Sequence, residues 1–532
     1  MTRAFVGLDL GTSGVKAIAV EPNGRLVAQH SVAFDFDRPH ADWAETPPER
    51  WWDATAKATR QLVANLSNAR PDTEVASVAL SGQMHGSVFL DAAAMQHAGR
   101  HPITALSPAL MWNDQRTEPQ RAQIEQRLGG RRACVEMSGC PSLCGLTAPK
   151  LLWLREQRPF LAERLAGLCL PKDFLALQLT GVFSTDVGDA SGAMLLDPRS
   201  RRWHAHVLDA LEVDPDVLPI PVESGTPIGA ITAWAAEATG LPEGVPVVIG
   251  SGDNQTAAVG AGVLDSGEML MILGTSGVVL APCDEATPDL HDDVPGRVNL
   301  FCDATGRGAR AGRWNLSGCM LSAAGSLEWA RGVLAPDVSF ETLLAEAGQA
   351  PSGCDGLIFL PYLTGERCPT PDPDARGGWI GLRRSHTRAH LVRAVIEGVS
   401  FALAQITDIV REIAGKPATI RVTGGGSKSA LWRQVLADAT QTPIVTLETD
   451  QGSALGAASL AAFGTGETDD LRTLTRRWVR PAKTTQPESN LPLDAARVVY
   501  DRLYDDLRAA SVALSQAQRA STNPAPAPGH TT

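Results

Sequence analysis

The chain has 532 residues, 44% of them hydrophobic and 20% charged, and carries a formal net charge of −12 at pH 7. This length allows two or more domains with full hydrophobic cores, and the composition is that of an ordinary globular protein. The acidic balance argues against nucleic acid as the main partner, because phosphate backbones bind basic surfaces. The acidic balance does not exclude small phosphorylated ligands, since local amides, cations and a metal ion can hold them.

The cysteines and the apolar runs indicate the compartment. Nine cysteines are irregularly spaced and form no C-x-x-C pair, which is typical of free thiols in a reducing cytoplasm. The N-terminus enters a strand pattern at once, without a basic segment followed by an apolar signal. No apolar run approaches ~18 residues, so we expect a cytoplasmic protein with no membrane partner.

The first half of the chain alternates strand and helix patterns. Residues 4–33 have the pattern of three strands, with a Pro-Asn-Gly turn between the second and the third. Thr46 and Glu49 have capping-box spacing, with Pro47 at the first helical position, and predict the start of a helix. A buried strand over 75–80 follows, so the sequence predicts an α/β domain with a mixed sheet.

The second half repeats this plan. A short strand over 247–249 ends in a Gly-Ser-Gly-Asp segment, and apolar residues at helical spacing predict a long helix over 388–414 that ends at Gly415. A strand over 419–422, a glycine cluster and a helix over 430–439 come next. The sequence therefore predicts two α/β domains.

Six residues, Leu-Gly-Thr-Ser-Gly-Val, occur twice, at 10–15 and at 273–278. Each copy lies between two strand-like apolar runs, so we expect it at the tip of a tight β-hairpin. Glycines expose backbone N–H groups and the hydroxyls add donors, which together can cradle phosphate oxygens. The alternative is an ordinary glycine-containing hairpin; the repeat and the nearby Lys16 favour phosphate. Asp9 precedes the first copy and Ile272 the second, and a single carboxylate beside a phosphate site suits Mg²⁺.

Two further segments of the second half carry candidate chemistry. Residues 423–427 place three glycines between a strand and a helix, where the backbone can approach a ligand and the helix N-terminus favours anions. The alternative is a plain strand-to-helix turn. Asp253 follows a buried strand, beside glycines that leave room for a ligand, and a carboxylate there suits a general base. The alternative is a helix N-cap, and the two roles are compatible.

Polar clusters follow apolar strands at 83–86 and at 112–116. An amide, an imidazole, a carboxylate and a guanidinium together suit a polyhydroxylated ligand. Each residue also has a plainer interpretation: His85 as a core histidine with a backbone partner, Arg116 as a surface ion pair and Met84 as core packing. No zinc-ligand spacing and no G-x-S-x-G segment is present in the sequence.

Taken in order, these motifs resemble the FGGY carbohydrate kinase family, within the actin, Hsp70 and sugar-kinase superfamily. The resemblance runs over about residues 4–460 and is carried by segments 9–16, 112–114, 360–367 and 422–427. Other segments resemble the branch of the family that phosphorylates D-xylulose. These are 38–40 with Trp43, 81–86, 147–153, 170–173 and 252–254.

The resemblance implies an α/β fold of two RNase H-like domains with a cleft between them. The first domain, residues 1–250, would bind the sugar and carry the first phosphate hairpin. The second, residues 251–485, would bind ATP and begin with the catalytic aspartate. A C-terminal helix over 486–518 and a disordered tail over 519–532 complete the expected organisation.

The resemblance also implies the site residues. Asp253 matches the family's catalytic base, and Asp9 matches its metal-associated carboxylate, which would hold Mg²⁺ directly or through water. The positions matched to sugar contacts are Met84, His85, Asn113, Asp114, Asp253 and Asn254. The positions matched to the nucleotide are Gly274, Thr275, Gly425, Gly426 and Ser429, and the hairpins add Gly11, Thr12, Ser13, Lys16 and Ser276 as phosphate contacts. Three residues depart from the pattern: Ser251 and Gln255, where relatives often have Gly and Ala, and Cys368, where Thr is usual.

The implied activity is ATP- and Mg²⁺-dependent phosphorylation of D-xylulose at O5, in xylose catabolism. The nearer alternative is a kinase of the same family that acts on ribulose, a deoxyketose or a polyol. The other is an ATP-driven interaction protein like Hsp70 or actin, which the carbohydrate-like polar clusters disfavour. The expected partners are the sugar and ATP, and a homodimer is a state common in the family.

Overall fold

A computed structural model describes residues 2–40, 42–305 and 312–522. Contacts within the chain divide it into two compact units. The first unit is Met1–Ser266, Leu280–Leu316 and Leu447–Arg480, and the second unit is Gly267–Val279, Ser317–Thr446 and Pro481–Thr532. The sequence-based domain boundaries stay predictions.

Strands and helices make a mixed α/β structure. The strands are β1 Thr2–Leu10, β2 Gly14–Val20, β3 Leu26–Ala33, β4 Glu45–Thr46, β5 Thr73–Gly82, β6 Val88–Asp91, β7 Ala109–Leu110, β8 Leu165–Cys169, β9 Ser184–Asp186, β10 Leu196–Asp197, β11 Arg202–Trp203, β12 Ile220–Val222, β13 Pro227–Ala230, β14 Pro246–Gly252, β15 Glu268–Leu273, β16 Gly277–Cys283, β17 Asn299–Cys302, β18 Trp314–Met320, β19 Ile358–Leu360, β20 Gly378–Ile380, β21 Thr419–Thr423, β22 Ile444–Leu447 and β23 Pro481–Thr485.

The helices are α1 Pro48–Ala69, α2 Ala92–His97, α3 Glu118–Leu128, α4 Arg131–Ser138, α5 Thr147–Gln157, α6 Pro159–Ala162, α7 Pro171–Thr180, α8 Val187–Ala190, α9 Ala205–Ala210, α10 Ala233–Thr239, α11 Asp253–Gly260, α12 Ala324–Leu334, α13 Phe340–Ala347, α14 Arg388–Ala414, α15 Ala430–Thr440, α16 Ser453–Gly464, α17 Leu471–Trp478 and α18 Leu491–Thr522. The long helix predicted over 388–414 is confirmed with the same bounds. The predicted C-terminal helix begins at Leu491 and continues to Thr522, four residues into the expected tail, and residues 523–532 lie outside the described residues.

The sheet of the first unit has the strand order β13-β14-β5-β1-β2-β3. β1 pairs antiparallel with β2 and parallel with β5, and β5 pairs parallel with β14. The carboxyl ends of β1, β5 and β14 therefore lie at one edge, with Ser81 of β5 opposite both Asp9 and Ser251. This register assembles residues that are far apart in the sequence.

Helices cover both faces of this sheet. Trp51, Leu62 and Leu66 of α1 belong to one core cluster with alternate residues of β1 and β2. The alanine-rich α16 packs on the opposite side, in a cluster that contains Phe5 and Ile18. Small side chains let α16 come so close to β1 that a side chain at Gly7 would strike the backbone of Ala454.

The second unit repeats the strand arrangement. The order β18-β16-β15-β21-β22 in its sheet corresponds to β3-β2-β1-β5-β14 in the first, and β15 pairs parallel with β21 as β1 does with β5. Both Leu-Gly-Thr-Ser-Gly-Val segments lie at hairpin tips, between β1 and β2 and between β15 and β16. The sequence repeat thus marks a repeated fold, as predicted.

Two local predictions have different outcomes. The capping box at the start of α1 is wrong: the helix begins at Pro48, no side chain caps it, and Glu49 Oε1 accepts from the Ala105 N–H instead. The nine cysteines are free, as predicted.

One helix in the described residues, α14, is long and apolar enough by composition to cross a membrane. However, 78% of its apolar window is buried inside the protein, as in the core helix of a globular domain.

Candidate active site

Asp9 lies at the end of β1, where the strand gives way to the first hairpin turn. Lys16 is its cross-strand neighbour on β2, and the turn is closed by a hydrogen bond from the Gly11 N–H to the Gly14 carbonyl (2.9 Å). Asp9 Oδ1 is buried and has no hydrogen-bond partner. Burial raises the pKa of Asp9 to about 6, against the opposing effects of the Ser81 hydroxyl and the Lys16 charge. Such an orphaned oxygen points to a ligand.

Asp253 is the first residue of α11, directly after β14. The N-cap is Gly252, so the alternative of Asp253 as an N-cap is wrong, and its carboxylate remains available for chemistry. Burial raises the pKa of Asp253 to about 7, and the negative charge of Asp9 adds to this shift. The carboxylate of Asp9 thus helps Asp253 to hold its proton.

The backbone around Asp253 is fixed by two hydroxyls. Ser453 Oγ donates to the Asp253 carbonyl (2.9 Å), and Thr256 Oγ1 donates to the Gly252 carbonyl (3.0 Å). Met84 packs on the other side, where a Cβ at Gly252 would lie 2.5 Å from Met84 Cγ. Gly252 is therefore the residue that lets Met84 approach the candidate base.

The turn after β5 is held in an unusual conformation. His85 has a φ of 65°, and its carbonyl accepts a hydrogen bond from Lys150 Nζ (2.7 Å). The Gly192 carbonyl accepts from His85 Nδ1 (3.0 Å), the backbone partner that the core-histidine interpretation expected. Strain of this kind persists only where neighbours enforce it, often at functional sites.

Gln83, on the same turn, is the clearest candidate for a ligand contact. The residue is 1% exposed, yet neither Nε2 nor Oε1 of its carboxamide has a hydrogen-bond partner. A buried amide left unpaired is costly, and a sugar hydroxyl could satisfy both ends. The sequence placed Gln83 in a polar cluster suited to a polyhydroxylated ligand, but not among the individual residues matched to sugar contacts.

Residues 112–116 form a second polar cluster. Arg116 is not a surface ion pair: its side chain is 3% exposed, contacts Asp114 and Glu45, and lies 3.6 Å from the ring centroid of Trp43. Asp114 is fully buried and also accepts from the Ala44 N–H, so its carboxylate is engaged inside the protein. Its predicted sugar contact stays a prediction.

Asn113 and Trp112 face different neighbours. Asn113 Oδ1 is buried and has no partner, like the carboxamide of Gln83. Trp112 Nε1 donates to Thr12 Oγ1 (3.1 Å), which ties this cluster to the first hairpin turn. The structure thus gathers Asp9, Lys16, the 83–86 turn, the 112–116 cluster, Asp253 and Asn254 in the first unit.

The candidate nucleotide residues lie in the second unit. Gly424 has a φ of 90°, and a Cβ there would lie 2.7 Å from the Leu273 carbonyl oxygen, so the glycine cluster packs directly on the second hairpin. A Cβ at Gly425 would meet nothing within 4 Å, so its backbone is open to a ligand. Ser429 has a local task as well, because its Oγ caps α15 by accepting from the Trp432 N–H (3.2 Å).

The start of α12 was missed by sequence reasoning. The N–H groups of Ala323 and Ala324 donate to the carbonyls of Thr275 and Gly274, both at 2.8 Å. No motif marks these alanines, since their backbone makes the contact. The segment completes the surroundings of the second hairpin.

A metal ion would have few protein ligands here. No group of three His, Cys, Asp or Glu side chains suited to a metal occurs in the described part of the chain. The unpartnered Oδ1 of Asp9 fits a hydrated divalent cation held through a single carboxylate and water.

The fold and the site define a carbohydrate kinase. The models of the FGGY family of carbohydrate kinases match residues 4–260 (N-terminal domain) and 269–465 (C-terminal domain). The chain belongs to this family, so a sugar and ATP are its substrates.

Individual relatives are similar over most of their length. The chain is 36% identical to the xylulose kinase of Bacillus subtilis, over 91% of this chain and 93% of that protein. It is 37% identical to the xylulose kinase of Escherichia coli, over 86% and 89%. The crystal structure of xylulose kinase from Rhodospirillum rubrum has a TM-score of 0.85 at 28% identity, covering 96% of this chain and 100% of that one.

Proposed function

We propose that the protein transfers the γ-phosphoryl group of ATP to O5 of D-xylulose and releases ADP and D-xylulose 5-phosphate. The observation that carries this proposal is Asp253: a carboxylate with a raised pKa, backed by Met84 and lying in the same unit as the unpaired amide of Gln83. The similarity to relatives named xylulose kinase supports D-xylulose as the sugar.

Asp253 would act as the general base. Its carboxylate would accept the proton of the C5 hydroxyl as that oxygen attacks the γ-phosphorus in line. A pKa of about 7 suits this role, because the group is ionised in much of the population at neutral pH and still binds a proton well. The fixed carbonyls of Gly252 and Asp253 would hold the carboxylate in position.

The sugar would be bound by the polar groups that lack partners. Gln83 and the Oδ1 of Asn113 would hydrogen-bond hydroxyls of the ketose, with Met84, His85, Asp114 and Asn254 around it. A ketose with the wrong stereochemistry would leave these buried groups unsatisfied, which is the usual source of strong discrimination.

The nucleotide would be held mainly by backbone. The residues that would contact ATP are Gly274, Thr275, Ser276, Gly425, Gly426 and Ser429. Those that would contact phosphate oxygens are Gly11, Thr12, Ser13 and Lys16. Asp9 would hold Mg²⁺ through its unpartnered oxygen, directly or through water. When bound, the ion would neutralise charge on the transferring phosphoryl group. We further propose a cytoplasmic location.

ADP release with Mg-ATP tests the substrate. The panel is D-xylulose, D-ribulose, L-ribulose, L-xylulose, D-fructose, glycerol and xylitol, with a no-sugar blank and Asp253→Ala beside the wild type. We expect a rate that strongly favours D-xylulose and disappears in the variant. A better rate with another sugar would keep the kinase and overturn the substrate.

A further inference from the structure

Four fully buried ionisable side chains form a cluster beside β14. Lys172 Nζ lies 2.5 Å from Asp173 Oδ1, 2.8 Å from Asp186 Oδ1 and 3.5 Å from Asp189 Oδ2, and all four side chains are 0% exposed. We call these residues the buried charge cluster. A buried ion-pair cluster is weak evidence for stability, because apolar packing of similar volume often serves a core at least as well. The cluster therefore points to a role beyond stability.

The buried charge cluster and the neighbouring Gly188 are hydrogen-bonded to residues on both sides of the candidate base in the sequence. Ser251 Oγ donates to Asp186 Oδ2 (2.6 Å), and Gln255 Nε2 contacts the Gly188 carbonyl (3.4 Å). Ser251 and Gln255 lie two residues before and two residues after Asp253, one on β14 and the other on α11. The turn that carries the base is thus tied at each end to the segment 186–188.

The same segment continues to the sugar-binding turn. It runs through α8 to Gly192, whose carbonyl accepts from His85 Nδ1 (3.0 Å). Lys172 lies close to the end of β5, where a Cβ at Gly82 would lie 3.1 Å from Lys172 Cβ. One continuous stretch of chain therefore contacts both the base-carrying turn and the turn of the predicted sugar residues.

We propose that the Lys172–Asp186 pair fixes the position of the Asp253 carboxylate, directly through Ser251 and by way of Gly188 through Gln255, without itself touching sugar or nucleotide. The inference rests on the proposed function, since it needs Asp253 as the base.

The hydrogen bonds around Asp186 keep the Lys172–Asp186 pair in place. Asp186 Oδ2 accepts from the hydroxyls of Ser251 and Ser224 and from the N–H groups of Gly188 and Asp189, while Lys172 contacts its other oxygen. Hydrogen bonds to a carboxylate are about twice as strong as neutral ones. Burial raises the pKa of Asp189, against the opposing charge of Lys172, and the neighbouring aspartates add to the rise.

Loss of this positioning should affect the phosphoryl-transfer step rather than substrate binding. In-line phosphoryl transfer needs the base within roughly 0.5 Å of its productive position, whereas binding of the sugar and the nucleotide tolerates a larger displacement. Loosening the turn should therefore lower kcat and leave KM for both substrates nearly unchanged.

The chain offers a matched pair of variants. Ser251→Ala and Ser224→Ala each remove one buried hydroxyl that donates to the same oxygen of Asp186, at 2.6 Å and 2.8 Å. Only Ser251 lies next to the base. Steady-state kinetics with D-xylulose and Mg-ATP, together with melting temperatures, are measured for both, beside wild type and Asp253→Ala.

We expect Ser251→Ala to lose about tenfold in kcat at constant KM, and Ser224→Ala to stay within about twofold of wild type with a similar drop in melting temperature. Gln255→Ala is the second variant. It removes the longer hydrogen bond, from Gln255 to the Gly188 carbonyl, and we expect an intermediate loss of kcat.

The outcomes separate the two proposals. Equal kcat for Ser251→Ala and Ser224→Ala, or a change in KM alone, would overturn the positioning role and leave the kinase intact. Absence of sugar-dependent activity in the wild type, or full activity in Asp253→Ala, would overturn the proposed function itself.

Discussion

The two hairpins have the same six-residue sequence and the same place in the same strand order, yet their surroundings differ. In the first unit, the hairpin begins at the half-buried Asp9, and the same unit holds Lys16, Asp253 and the buried charge cluster. In the second unit, Ile272 stands at the equivalent position, and the neighbours are the backbone of Gly424 and of Ala323–Ala324. The first copy thus has ionisable neighbours, whereas the second offers backbone groups and hydroxyls. In the proposed function both hairpins contact phosphate oxygens, and only the first is preceded by a carboxylate.

The largest effect should come from the base. Asp253→Asn keeps the shape of the side chain and removes its capacity to accept a proton, so we expect kcat to fall by about 10²–10⁴-fold. The base must be ionised and burial raises its pKa to about 7, so wild-type activity should fall as the pH drops below that value. Rate profiles between pH 5 and 9 measure both effects. A variant that keeps more than about a tenth of kcat would exclude the role.

Asp9 and Ile272 can be compared directly, since they precede identical turns. We expect Asp9→Asn to lower kcat by about 10²-fold and to raise the Mg²⁺ concentration needed for half-maximal rate. The reason is that the one carboxylate proposed to hold Mg²⁺ is lost. Ile272→Asn is the control and should change stability while leaving the Mg²⁺ requirement alone. Equal Mg²⁺ dependence in the two variants would contradict the asymmetry.

The glycines that pack beside the second hairpin predict a smaller effect, on the binding of ATP. Gly424→Ala puts a Cβ 2.7 Å from the Leu273 carbonyl at a φ of 90°, so the second hairpin must move. We expect KM for ATP to rise by about tenfold and the melting temperature to fall. Gly425→Ala meets nothing within 4 Å and should leave the melting temperature unchanged, which makes it the control for stability.

The smallest effect concerns stability. The pKa of Asp253 is raised from 3.8 to about 7, so protonation of this group favours the folded state; its contribution is complete below about 3.8 and is lost as the pH rises from there through 7. Asp253→Asn, which is neutral at every pH, should therefore be more stable than wild type at pH 8, by about 1–2 kcal/mol, and by less at pH 5. Urea unfolding at both pH values tests this, with Asp53→Asn on α1 as an exposed control. A stability gain at pH 5 and none at pH 8 would reverse the sign and refute the argument.

Local patterns predicted much of the fold. The hairpins, the long helix over 388–414 and the strands at 75–80 and 419–422 were predictable because apolar periodicity and glycine turns act over a few residues. The capping box at Thr46 failed because Glu49 bonds the distant Ala105 N–H, a partner that no local pattern contains. The same limit applies to Arg116, which sequence alone allowed as a surface residue and which folding stacked on Trp43.

The sequence by itself determined the repeat, the order of the motifs and the family they point to, since glycine turns between apolar runs act over a few residues. Only the tertiary structure decided which side-chain atoms are buried without partners, such as the Oδ1 atoms of Asp9 and Asn113 and the carboxamide of Gln83, and which side chains are satisfied internally, such as Asp114. It also joined Ser251 to Asp186 and the start of α12 to the second hairpin. The physical reason is that burial, hydrogen bonding and pKa depend on neighbours brought from distant parts of the chain, whereas turns and helices depend on neighbours in sequence.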